Sequence, residues 1–249
     1  MFEFFTYFFD TILYKPLLNA LILLYQNLPG QDFGVAIIAL TVLIKLALYP
    51  LSAKGIKAQK ALSILQPKMK EIQEKFKNNK EEQAKVMMEL YKKEKVNPFS
   101  GCLPLLIQLP IIIALYRVFW NGFKTDQISY IYDFISFTGP IDPMFLNMID
   151  LSQPYIALGF LAGILQFFQT KMTMPEDEQK KKKAKSGKPE FADMMQKQML
   201  YFFPVITVII LWTLPSAIGL YWITFTLFAI VQQHFTLKQT KVTEDIKKI

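Results

Sequence analysis

The chain has one cysteine, Cys102, and one histidine, His234, among 249 residues. A single thiol excludes an internal disulfide framework and a thiolate metal site. A single imidazole with no H-E-x-x-H pattern excludes a zinc protease of that kind. No nucleophile–base–orienter set can be assembled either: Ser52, Ser100 and Ser216 all stand near the ends of apolar runs. Enzymatic function is therefore disfavoured, and no cofactor is expected. The N-terminus lacks the basic region and small-residue cleavage site of a secretory signal, so no processing is expected there. No inverted repeat is visible, which weakens a transporter reading. Most telling, no carboxylate occurs anywhere in the apolar runs 33–52, 98–122, 154–172 and 199–237.

What is present is apolar surface: 52% of residues are hydrophobic and 14% aromatic, beyond what a soluble domain carries. A bilayer core of about 30 Å takes about 20 apolar residues per helix. Several runs approach that length. The fold class predicted is all-α, a polytopic membrane protein with five core transmembrane helices, an N-terminal interfacial amphipathic helix and a cytoplasmic helical hairpin.

Residues 1–32 form the outer helix and its link. Apolar residues from Ile12 to Tyr25 recur at helical spacing but are interrupted by Asp10, Lys15 and Pro16. That pattern favours a helix lying in the interface over one that spans. The first transmembrane helix is 33–52, followed by a hydrophilic block, 53–98. There Ala58, Leu62, Leu65, Met69, Ile72 and Phe76 recur at alternating spacings of 4 and 3, a coiled-coil seam. A turn at Asn78-Asn79 leads to a second amphipathic helix with Ala84, Met87, Met88 and Tyr91 on its apolar face, which makes an antiparallel hairpin. Pro67 is expected to kink the first arm. The second transmembrane helix is 99–122, the external loop 123–153 and the third helix 154–172. A basic loop, 173–198, carries the run Lys180–Lys183. The fourth and fifth helices share 199–237, divided at Pro215, and 238–249 is a charged tail.

The net charge of +8 is explained by topology. Of 28 basic residues, twelve lie in the hairpin, eight in 171–198 and four in the tail, whereas 122–152 has one Lys against four Asp. Positive residues stay inside, so the hairpin, basic loop and C-terminus are cytoplasmic. Nucleic acid recognition is not needed to account for the charge.

Lys45 lies near the middle of the first run. A cation at that depth costs about 2.5–3.5 kcal/mol on the lenient insertion scale. Thr41 is one turn earlier on the same face. Two readings fit Lys45: snorkelling to the cytoplasmic headgroups, or a water-filled cavity open to the cytoplasm and lined by polar groups such as Gln108, Gln166 and Gln169. Arg117, beside Trp120, is expected to be an interfacial anchor.

The motifs Thr41-x-x-x-Lys45-x-x-x-Tyr49-Pro50-Leu51, Leu65-Gln66-Pro67-Lys68 and Asn97-Pro98-x-x-Gly101-Cys102-x-Pro104 through Gln108-x-Pro110 resemble the YidC/Oxa/Albino membrane-protein insertases. So do Leu214-Pro215-Ser216, Leu220-Tyr221-Trp222 and Gln232-Gln233. The chain is similar to a short form lacking the large external domain. The resemblance implies a membrane-protein insertase and folding chaperone of the cytoplasmic membrane, with a hydrophilic groove open to cytoplasm and lipid. Lys45 stands where the family usually has Arg, which keeps the charge but loses the planar fork. Lys45, Thr41, Gln108, Gln166 and Gln169 would wet the groove, Ile112 would guide the incoming apolar segment, and Tyr221 and Trp222 would shape the wall. Lys75, Lys77, Lys80 and Lys85 on the hairpin would meet partners. The implied partners are nascent membrane proteins, the ribosome and targeting machinery or the Sec translocon, and membrane lipids. The alternative is a small solute transporter or channel subunit built around Lys45.

Overall fold

The computed structural model describes residues 2–97, 103–121, 130–137, 140–173 and 198–246. Cys102, the Lys180–Lys183 run, Lys124, Gly139 and the Pro98–Cys102 part of the motif lie outside the described residues. The described residues are mostly helical, with one two-stranded ribbon, and they form two compact units.

The first unit comprises Met1–Leu48, Leu106–Gln166 and Pro204–Phe228. Helix α1 (Phe2–Phe9) continues through one wide turn, Asp10–Tyr14, into α2 (Lys15–Asn27). The widened turn falls just before Pro16, whose missing N–H and bulky ring cannot serve a regular ladder. The stretch Thr6–Asn27 is long and apolar enough to cross a membrane. Pro29 ends it, and Gly30 takes φ +81°, a left-handed value that suits glycine. Asp32 then caps α3 (Phe33–Ala47), its Oδ1 accepting from Val35 N–H at 2.9 Å.

Helices α6 (Leu103–Asn121), α7 (Ile156–Thr173), α8 (Phe203–Thr213) and the start of α9 (Ser216–Ile246) supply the rest of this unit. Its interior holds Leu18, Leu21, Phe33, Ile37, Leu115, Phe119 and Ala217, all essentially inaccessible. Phe33 meets Tyr25 and Phe119 edge-on, with centroids 6.1 and 6.3 Å apart. In lipid the apolar effect between helices largely vanishes, so close packing must hold them. Glycines on α7 do this: a Cβ on Gly163 would lie 2.6 Å from Val208 Cγ2 and 3.2 Å from the Pro204 carbonyl oxygen on α8.

The segment before α7 is tied down by polar side chains of α2. Asn19 is buried; its Nδ2 donates to the Lys15 and Tyr130 carbonyls and its Oδ1 accepts from Tyr132 N–H at 2.8 Å. Gln26 donates to the Ser136 carbonyl, and the Tyr25 hydroxyl accepts from Asp142 N–H. The ribbon pairs β1 (Met144–Phe145) with β2 (Ile149–Asp150), antiparallel. A Cβ on Gly34 would fall 2.1 Å from Phe145 Cδ2, so only glycine fits where β1 crosses the first turn of α3. The first N–H groups of α9 have no intrahelical acceptor; Ser216 and Ala217 instead donate to the Gln153 and Leu151 carbonyls, each at 3.0 Å.

Arg117 is more than an anchor. Its guanidinium pairs with the Asp10 carboxylate and lies 4.6 Å from the Tyr14 ring centroid and 5.7 Å from that of Phe9. Asp10, in the wide turn, is the one acidic residue between Glu3 and Asp32, so this pair fastens the N-terminal helix to α6.

The second unit comprises Tyr49–Leu105, Phe167–Phe203 and Ala229–Ile249. Helix α4 (Tyr49–Lys75) runs through Pro67 without interruption, and α5 (Lys80–Lys93) packs on it. Asn79 caps α5 by accepting from Glu82 N–H at 3.1 Å. Glu81 and Glu82 in the first turn and Lys92 and Lys93 in the last suit the helix dipole. On α4, Leu65 is buried and Leu62, Met69, Ile72 and Phe76 are half-buried. On α5 two of the four expected inward residues, Met87 and Tyr91, face α4, and two do not. Ala84 and Met88 are exposed, whereas Gln83, Val86, Met87, Leu90 and Tyr91 are half-buried. Gln83 wins its inward place by donating to the Gln73 carbonyl at 3.0 Å. Tyr91 reaches Met69 sulfur at 3.7 Å, and Lys68 Nζ meets Glu94 Oε1 at 2.6 Å. Burial raises the Tyr91 phenol above its ordinary value.

Candidate functional site

Helix α3 carries Thr41 and Lys45 at i and i+4, and the structure buries both. The exposed residues of α3 beyond Thr41 are Leu43, Leu46 and Ala47, on the other faces. Thr41 Oγ1 donates to the Ile37 carbonyl at 2.6 Å, so its hydroxyl proton is spent within its own helix. Lys45 is only 5% exposed. Among the described residues no carboxylate stands within ion-pair distance of it. Its Nζ instead lies 4.0 Å from the Phe225 ring centroid and 5.6 Å from that of Phe228.

Neither ring is among the partners the sequence suggests for Lys45, since both are uncharged and apolar. The readable signal was their spacing: i and i+3 on the last helix place both on one face.

Gln108 on α6 is buried and donates to the Tyr221 hydroxyl on α9. Tyr221 is a core residue here, while Trp222 and Ile112 are half-buried against the same core. Thr224 donates to the Leu220 carbonyl at 2.8 Å. Gln166 is half-buried in the first unit, and Gln169 is half-buried in the second. The hairpin residues Lys75, Lys77, Lys80 and Lys85 are all exposed. Lys80 holds Gln83 Oε1 at 3.2 Å, and Lys75 lies 5.6 Å from the Phe76 centroid.

In the second unit, buried Gln232 donates to the Tyr49 carbonyl at 3.1 Å, beside Pro50. The Oε1 atoms of Gln232 and Gln233 are buried without a hydrogen-bond partner among the described residues. Among those residues no His/Cys/Asp/Glu group has the makings of a metal site.

What this arrangement can do is electrostatic. A desolvated ammonium with a net charge that no carboxylate cancels attracts an anion far more strongly than the same group in water.

The sequence profile described as 60Kd inner membrane protein matches residues 24–244. The chain belongs to that family. It is 37% identical over 212 residues to a protein named membrane protein insertase YidC from Francisella tularensis subsp. novicida, an alignment covering 85% of this chain and 34% of that relative. It is 36% identical over 212 residues, with the same coverage, to the protein of that name from Francisella philomiragia subsp. philomiragia. The chain thus spans about a third of the length of the curated relatives it matches. Membership of an inner-membrane family agrees with the apolar helices: Thr6–Asn27 and Ser216–Lys238 can each cross a bilayer, and Phe33–Ala47 with Tyr49–Lys75 makes a third candidate. Leu106–Trp120 and Gln198–Thr213 are shorter apolar helices. This is a multi-pass membrane protein of the family, and its first unit buries polar side chains on α3, α6 and α9.

Proposed function

We propose that this chain is a membrane-protein insertase and folding chaperone, which admits nascent transmembrane segments to the cytoplasmic membrane through a hydrophilic groove open to cytoplasm and lipid. Five core helices, an outer interfacial helix and a cytoplasmic hairpin would build it. The observation that carries this reading is the buried Lys45 ammonium, which has no carboxylate beside it among the described residues, in a chain of this family. A lone cation in an apolar span costs stability and so calls for a use. Here that use is attraction of the acidic polar tail that precedes an incoming apolar segment. Thr41, Gln108 and Gln166 contribute hydrogen-bonding groups to the groove, Ile112 and Trp222 its apolar edge, and Tyr221 holds Gln108. No bond is made or broken. Exposed lysines of the hairpin suit contact with the ribosome, targeting machinery or Sec translocon, and the C-terminus is cytoplasmic.

A photo-crosslinker at position 45 tests this directly against ribosome-held nascent membrane proteins. Capture of the nascent chain at position 45, and not from exposed Leu43 on the opposite face, supports the proposal. Capture from Leu43 alone would contradict it.

A further inference from the structure

An ammonium buried in a membrane protein usually lies against a carboxylate, which steadies it and cancels its charge. Lys45 has a different seat. Phe225 presents its ring 4.0 Å from Nζ, and Phe228, one turn on, stands at 5.6 Å. Phe225 is half-buried and packs against the core of the first unit, so its ring is held in place. An aromatic face carries negative quadrupolar charge and attracts a desolvated cation strongly. It has no net charge, so it leaves the full positive charge of the ammonium in place. It also offers no strong acceptor, so N–H donors of Lys45 stay available to a carboxylate, which forms short charge-assisted bonds.

Building on the insertion reading, we infer that Phe225, backed by Phe228, is a positioning and specificity-determining residue: it fixes the Lys45 ammonium inside the protein without neutralising it, and so sets the preference for substrates with acidic translocated tails. Without the Phe225 ring, the attraction holding the ammonium weakens and the long side chain can withdraw toward the cytoplasmic headgroups. With a carboxylate in place of the ring, an internal pair forms and the charge is lost to substrates.

The test uses full-length protein in proteoliposomes and two model substrates that differ only in an acidic or neutral tail. Phenylalanine at 225 is replaced by its mono-, di- and trifluoro analogues, which keep the shape while draining the ring face. The ratio of acidic-tailed to neutral-tailed insertion should fall stepwise with each fluorine, by about threefold to tenfold over the series. Phe225→Trp should keep the ratio, and Phe225→Leu and Phe225→Glu should lose it while neutral-tailed insertion continues. In a Lys45→Leu background Phe225→Leu should change nothing further. A flat fluorine series, or an undiminished effect of Phe225→Leu in the Lys45→Leu background, would overturn the inference while leaving insertion itself standing. If the unaltered protein inserts neither substrate, the insertion reading fails and takes this one with it.

Discussion

Gln108 on α6 and Tyr221 on α9 are both buried and share one hydrogen bond, the amide donating to the phenol oxygen. Removing one member of such a pair strands the other in an apolar interior, which costs about 1–3 kcal/mol. Tyr221→Phe should therefore destabilise the protein in detergent unfolding. Adding Gln108→Leu should restore part of the loss, because no polar group is then left without a partner. If the double variant loses as much as the two single changes added together, the pair is not coupled.

Gly163 and Gly159 lie one turn apart on α7 but face different clearances. A Cβ at Gly163 would come within 2.6 Å of Val208 Cγ2, whereas one at Gly159 meets nothing closer than 3.4 Å. Gly159→Ala should be close to neutral, and Gly163→Ala should cost about 1–3 kcal/mol by overpacking. Val208→Ala should partly rescue Gly163→Ala. The check is thermal unfolding of the four variants in one detergent; equal effects of the two glycines would refute the packing assignment.

Lys68 donates to Glu94 across the hairpin and, by that hydrogen bond first and its charge second, holds the Glu94 carboxyl below its ordinary value. A carboxyl depressed in the folded state stabilises above its unfolded value, and that contribution disappears as pH falls through the folded value. Amide exchange at the α4–α5 ends should therefore speed up on acidification below the usual carboxylate range. Glu94→Gln should remove this dependence at that site. The pair is exposed, so the effect should be small and weakened further by salt.

The charge asymmetry predicts opposite accessibility for the hairpin tip and the ribbon. With Cys102 replaced by Ser, single cysteines at Asn79 and Asn147 should react with an impermeant reagent from opposite faces of sealed vesicles. Labelling of both from one face would overturn the topology.

The helical membrane class and the oddity of Lys45 were legible in the sequence because both follow from the apolar runs and a charge out of place within one. The seat of Lys45 was not. A search for a compensating carboxylate passes over Phe225, whose attraction for a cation comes from a quadrupole that no count of charges records. Arg117 likewise looked like an anchor because Asp10 is more than a hundred residues away in the chain. Asn19 was hidden inside an apolar pattern; its role depends on the backbone of Tyr130 and Tyr132 coming to it. On α5 Met87 and Tyr91 were legible as inward but Ala84 and Met88 were not as outward, because the inward place of Gln83 rests on a hydrogen bond to the Gln73 carbonyl that an apolar pattern does not show. The short ribbon at 144–150 pairs only two residues per strand, too few to leave a periodic signal.

The central claim is that the uncancelled charge of Lys45 acts on substrates. It is tested most directly by the rate at which Lys45→Leu inserts acidic-tailed substrates, measured beside Lys45→Arg and with a neutral-tailed control. Lys45→Leu should be at least as stable as the unaltered protein, since a buried cation is gone, yet insert acidic-tailed substrates more slowly, with Lys45→Arg near normal. Acidic-tailed insertion by Lys45→Leu at the unaltered rate would contradict the account and leave Lys45 without a part in insertion.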